Sequence, residues 1–85
     1  MKLLYFAWMR EKIGCAEEER TLPANVATVA ALLDWLETLG AGYAAALGQR
    51  KLVRVAVNGV AVVPETTLKG DEEVAIFPPV TGGAQ

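Results

Sequence analysis

The apolar positions of this chain change their period along the sequence, and each change marks a new element. Residues 2–8, KLLYFAW, are almost continuously aliphatic or aromatic and predict a largely buried β-strand. The run ends in MREKIGCAEE, where charges return and Gly14 offers a turn. Residues 17–22, EEERTL, predict a second, more exposed strand, and a hairpin is the simplest connection between the two. The period then becomes helical. Val29, Leu32, Leu33, Leu36 and Leu39 fall on one face, with Asp34, Glu37 and Thr38 opposite. Thr28 stands where an N-cap hydroxyl accepts from a first-turn amide, and Gly40 and Gly42 supply the stop. Trp35 lies at the margin of the apolar stripe and is expected half-buried beside the sheet, and YAAALG offers a further short helical turn.

Period two returns in KLVRVAVNG, residues 51–59. Val53, Val55 and Val57 share one face, and Leu52, Arg54, Ala56 and Asn58 share the other. Asn58-Gly59 predicts a tight turn, and VAVV a short return strand that ends at Pro64. ETTLKGDE reads as a loop, and EVAIF, residues 73–77, as the last strand. The predicted class is α+β, a roll with one main helix packed across a mixed sheet of about five strands. That order resembles a β-grasp domain, with the first and last strands as parallel central neighbours. Residues 1–77 are expected to form this β-grasp domain and residues 78–85 a flexible C-terminal tail carrying Gly-Gly.

Composition narrows the classes of function. A chain of 85 residues holds one domain, and 53% hydrophobic residues supply its core. The net charge is −2 and the eight basic residues are scattered, so no basic stripe invites nucleic acid. No stretch of ~18 residues is apolar and uncharged, so no membrane span is expected, and no membrane partner either. Lys2 before an apolar run has the look of a signal peptide, but Arg10, Glu11 and Lys12 follow too soon. A single cysteine suits a reducing cytoplasm.

Catalytic chemistry is thin. There is no histidine to act as general base or metal ligand. Cys15 lies beside Glu17, Glu18 and Glu19, whose carboxylates raise a thiol pKa rather than activate it. The acidic clusters at 17–19 and 71–73 read as solvated faces, with no metal site expected. The tail is the exception. Pro78 and Pro79 cannot donate to a ladder, so the last strand must stop there and continue as a stiff arm. Gly82 and Gly83 carry no side chain and fit a channel too narrow for a Cβ.

With FPPVTGG at 77–83 after GDEEVAIF, the chain resembles the small, ubiquitin-like sulfur-carrier subunits of molybdopterin synthase. YFAWMREKIG, TVAALLDWL and VAVNG are similar to that family's first strand and loop, helix start, and third strand with its turn. The resemblance implies a carrier that is not an enzyme on its own. Its terminal glycine, here Gly83, is adenylated by an ATP-using partner resembling ubiquitin-activating enzymes and converted to a thiocarboxylate. The sulfur then passes to a pyranopterin precursor in the large catalytic subunit, within a heterotetramer. Pro78, Pro79, Val80, Thr81 and Gly82 would thread the arm, and Phe6, Ala61 and Phe77 would dock the partner. No stably bound cofactor is implied; ATP acts only at the activating partner.

The chain departs from the family pattern at its end, where Ala84 and Gln85 follow Gly83 and leave it no free carboxylate. Removal by a processing peptidase is the expected remedy; residues foreign to the chain, or lost activity, are the other readings. Two rival functions stand beside the first. One is a sulfur carrier for thiamine or tRNA thiolation, and the other a non-catalytic β-grasp interaction module with an uncut tail.

Overall fold

The computed structural model describes residues 1–79. Its elements in chain order are β1 (Lys2–Tyr5), α1 (Ala7–Ile13), β2 (Glu17–Glu19), α2 (Val29–Glu37), α3 (Ala41–Leu47), β3 (Arg54–Val57), β4 (Val60–Val62) and β5 (Glu73–Phe77). The sheet order is β2-β1-β5-β3-β4, so the last strand lies in the middle. β1 and β5 run parallel, with Lys2 opposite Glu73 and Tyr5 opposite Ile76, and the remaining pairs are antiparallel. Alternation along the strands sends Leu3, Tyr5, Val55, Val74 and Ile76 to the buried face. Val29, Leu32, Leu33 and Leu36 of α2 cover that face. Each such side chain taken from water contributes roughly 1.5–3 kcal/mol. The β-grasp order and the parallel central pair expected from the sequence are therefore present.

The start of α2 is built as its sequence predicts. The Thr28 hydroxyl accepts from the Ala31 amide at 3.1 Å. Two further first-turn amides find carbonyls in the loop after β4: Val29 N–H donates to Thr66 and Ala30 N–H to Pro64, each at 2.9 Å. Trp35 is half-buried against the core. Arg50 ties the far part of α2 to the 3₁₀ turn at Arg50–Leu52, donating to Glu37 and, at 2.7 Å, to Asp34.

Five sequence expectations are corrected. The first strand stops at Tyr5 rather than at residue 8, because Ala7 takes a left-handed φ of 56° and the chain turns into α1. No hairpin joins β1 to β2; α1 fills the connection and is closed by Gly14 at φ 100°, whose N–H donates to Arg10. The apolar run misled because continuous hydrophobicity does not separate a strand from a helix that buries one side chain, here Met9. The second strand ends at Glu19, not Leu22, and β3 begins at Arg54 because residues 50–52 form the 3₁₀ turn. Finally, Gly42 does not stop a helix. α2 already ends at Glu37, Gly40 is the N-cap of α3 rather than the stop of α2, and Gly42 lies inside α3, the short helix expected after it, now seven residues long.

Gly42 instead permits a close crossing. A Cβ there would lie 2.3 Å from the Lys12 carbonyl oxygen of α1, a backbone atom that cannot swing away. Gly42→Ala is predicted to lower unfolding stability by about 1–3 kcal/mol, overpacking outweighing better helix propensity. Gly40→Ala, whose Cβ would meet the Tyr43 ring at an ordinary 3.6 Å, should cost less. Urea melts of both variants check this.

Two carboxylates are held by specific donors, one on the edge strand β2 and one in the loop before β5. Glu18 Oε2 accepts from the Tyr5 and Tyr43 hydroxyls, each at 2.7 Å, and Oε1 pairs with Arg20 at 3.2 Å. Burial opposes its charge, but the bonds from Tyr43 and Tyr5 and the Arg20 cation prevail and hold it below the usual carboxylate range. Burial and the Glu18 bond push the Tyr5 hydroxyl far up. Glu72, buried in the loop before β5, accepts from the Lys69 amide at 2.7 Å and the Gly70 amide at 2.8 Å. Burial again opposes its charge, the backbone donors win, and its pKa is lowered.

Both folded pKa values are lowered, so the stability they give is present above the unfolded value near about 4.3 and lost as pH falls through the folded values. Glu72→Gln is predicted to melt several degrees lower at pH 7 while showing a shallower loss of melting temperature below about pH 4.3 than the parent. Thermal scans across that range check it.

Candidate functional site

The sequence places its chemistry at the end of β5, and the sheet fixes where that end emerges. Asn58 clamps the start of the strand: its side-chain carbonyl accepts from the Glu73 amide at 2.9 Å, and its own amide donates to the Glu73 carbonyl at 2.8 Å. Held between β1 and β3, β5 runs to Phe77 with no freedom to slip, because a one-residue shift would expose Val74 and Ile76. Phe77, Pro78 and Pro79 are half-buried. The prolines end the ladder as expected, since β5 stops at Phe77. Val80, Thr81, Gly82 and Gly83 lie outside the described residues, as do Ala84 and Gln85.

The three expected docking residues share the outward face of the sheet. Across that face one row of cross-strand partners runs Leu4, Ala75, Ala56 and Ala61. The next row sets Phe77 opposite Arg54. Phe6 adds a last rung, its amide donating to the Ile76 carbonyl at 3.2 Å, which puts it beside Phe77 at the tail root. Phe6 is 46% exposed, whereas Phe77 is half-buried. Ala61 is exposed on the edge strand β4. The alanines make a floor, the two aromatic rings rise at its tail end, and Lys2, Glu17, Glu73 and Arg54 surround it with charge.

Among the described residues no group of three or more histidine, cysteine, aspartate or glutamate side chains is placed to hold a metal. Cys15 is half-buried and its thiol pKa is raised, by burial first and then by Glu18, against an opposing effect of Arg20. A thiol so held is a weak nucleophile near neutral pH. Glu18, Tyr5, Tyr43 and Arg20 engage one another, and Tyr43 stacks edge-on to Tyr5 with ring centroids 6.4 Å apart. Among the described helices none is long and apolar enough to cross a membrane.

Sequence reasoning missed Trp8. It sits on α1, two residues from Phe6, and is 37% exposed. Its apolar neighbours made it look like core, and only the turn at Ala7 reveals it as surface.

Comparison with known proteins agrees with this arrangement. The ThiS family model matches residues 3–83. The molybdopterin synthase sulfur carrier subunit of Haemophilus influenzae is 39% identical over 83 residues, covering 98% of this chain and 99% of that protein. The Escherichia coli protein of the same name is 40% identical over 83 residues, with the same coverage of 98% and 99%. Among solved structures, SAMP1 from Haloferax volcanii superposes with a TM-score of 0.72 at 30% identity, covering 98% of both chains. The family match spans the whole β-grasp body and runs on through the paired glycines, so the chain belongs to the ThiS family.

Proposed function

We propose that this chain is the sulfur carrier of molybdopterin synthase, with Gly83 as the residue that bears the sulfur. One observation carries the reading: a rigid central strand delivers Phe77-Pro78-Pro79 to the sheet's end, directly before Val80-Thr81-Gly82-Gly83, in a chain similar over 98% of its length to carriers of that name. The lack of an activated nucleophile or metal cluster among the described residues suits a subunit whose partner supplies the catalytic groups.

The chemistry asked of the tail is simple. The Gly83 carboxylate attacks the α-phosphate of ATP on an activating partner, pyrophosphate leaves, and an acyl-adenylate forms. A sulfur nucleophile then attacks the acyl carbon and AMP departs, leaving a thiocarboxylate. In the large subunit the sulfur passes to a pyranopterin precursor, and water restores the carboxylate. Splitting one hard displacement into two easier ones is the gain of covalent activation. Tethering the sulfur to a docked body raises its effective concentration at the reacting atom. A glycine at the acyl carbon leaves both attacks unhindered. Because Ala84 and Gln85 follow Gly83 in the sequence, a peptidase must first release that carboxylate.

The intact mass of the protein from its native host tests this directly. The expected species lacks Ala84 and Gln85, and a fraction of it has one oxygen replaced by sulfur. Only full-length protein, free of sulfur, would instead support an interaction module with an uncut tail. In a chain ending at residue 83, Gly83→Ala is predicted to reduce sulfur loading about 100-fold by displacing the acyl carbon. Phe6→Ala should leave melting nearly unchanged, because the ring is 46% exposed, yet weaken binding to the large subunit by about 1–2 kcal/mol. Calorimetric titration measures that loss.

A further inference from the structure

The two edges of the sheet are unlike. β2 presents Glu17, Glu18 and Glu19 in succession, and charge along an edge repels an incoming strand. β4 is Val60-Ala61-Val62, with no charge and no proline, and Val60 and the following Val63 are 64% and 62% exposed. Such an edge is open to pairing.

The phase of the ladder says which groups are on offer. Asn58 N–H donates to Glu73 in β5, so Asn58 and Ala56 turn their backbone groups toward β5, while Val57 and Val55 turn theirs toward β4. Val60 and Val62, their partners, are thereby used, and the N–H and C=O of Ala61 point off the edge. The turn agrees: Asn58 at φ 50° and Gly59 at φ 84° form a two-residue hairpin loop whose flanking pair, Val57 and Val60, is hydrogen-bonded.

Beside this edge lies a groove of about 440 Å³ between β4 and α2. Its walls include Val29, Leu33, Val55, Val62 and Pro64, and Arg54 lines it too. Arg50, also at the groove, is engaged by Asp34 and Glu37. Arg54 donates only to the carbonyls of Lys51 and Val53, both at 3.1 Å, and meets no carboxylate among the described residues. Arg54 is also the register partner of Phe77, two residues before Pro79. A partner that takes the tail must stand at this corner.

We propose that a strand of the large catalytic subunit pairs with the β4 edge at Ala61, seats an apolar side chain in the groove, and sets a carboxylate on Arg54. The inference rests on the carrier role proposed above and adds to it the location and chemistry of the contact. Backbone pairing gives affinity without demanding sequence, the groove selects the apolar residue, and the guanidinium fixes register.

The test uses the full chain and the purified large subunit. Hydrogen exchange at the Ala61 amide should slow at least about tenfold in the complex, as for any amide taken into a ladder. Arg54→Glu should weaken binding about tenfold or more without lowering the melting temperature. Ala61→Pro, which removes only the outward N–H of an edge strand, should do likewise. A complex of parent affinity in which Ala61 stays unprotected overturns the inference and leaves the carrier role standing. Failure of the unaltered chain to bind the large subunit at all overturns both. Concentration-dependent protection of Ala61 in the isolated chain would assign the edge to a second copy and also overturn it.

Discussion

The fold depends on one pairing: the parallel contact between β1 and β5, the first and last strands of the chain. β5 enters between β1 and β3, so the sheet cannot close until the end of the sequence has been made. Its buried residues, Val74 and Ile76, complete the apolar layer that Leu3, Tyr5 and Val55 begin. Lys2 N–H donates to the Glu72 carbonyl and Phe6 N–H to Ile76, so the pairing is bonded at both ends. The consequence for function is geometric. A terminal segment that leaves an edge strand can swing with that edge, whereas one that leaves a central strand departs from the most constrained point of the molecule. The body therefore fixes where Pro78 and Pro79 leave the sheet.

Much of this could be read in the sequence, for reasons that differ by residue. The α2 stripe and the Thr28 cap are local signals, and both hold. The Asn58-Gly59 turn needs only two residues able to take positive φ, and both do. The outward placement of Phe6, Phe77 and Ala61 on one face follows from strand alternation once the register is known. What failed were features with no local signal. Nothing in FAWMREKI distinguishes a strand end from a helix, since the deciding fact is that Met9 is fully buried in the core while Trp8 is 37% exposed. Gly42 read as punctuation because a glycine that serves a helix crossing is written with the same letter as one that ends a helix. The tail carries the most specific motif of the sequence, and because residues 80–85 are outside the described structure its reading rests on chemistry and kinship rather than geometry.

Electrostatics divides the surface in a way that composition alone conceals. The net charge is small, −2 over the chain. Yet carboxylates are concentrated along β2, where Glu18 is consumed by two tyrosines and Arg20 while Glu17 and Glu19 remain at the surface. Next to the opposite edge, Arg54 of β3 bonds only to the carbonyls of Lys51 and Val53 and meets no carboxylate among the described residues. One edge is thus guarded and the other left attractive to a strand. Proteins that have no use for an open edge usually blunt it.

Ala7 shows the same preference for placement over stability. A left-handed alanine costs roughly 1–2 kcal/mol that glycine would not. The residue is held there because its neighbours on both sides are fixed: Phe6 by its bond to Ile76, Met9 by complete burial, and the end of α1 by the Gly14 cap. A relaxed φ at residue 7 would let β1 run on and carry α1 off α3, losing the Gly42 crossing as well. The strained step instead ends β1 at Tyr5, which leaves Phe6 exposed at the last rung of the sheet and Trp8 at the surface of α1. Strain of this size persists where surrounding contacts over-determine it, and it gathers where a surface must be held ready. Here it stands next to Phe6, whose amide is bonded to Ile76 near the end of the central strand.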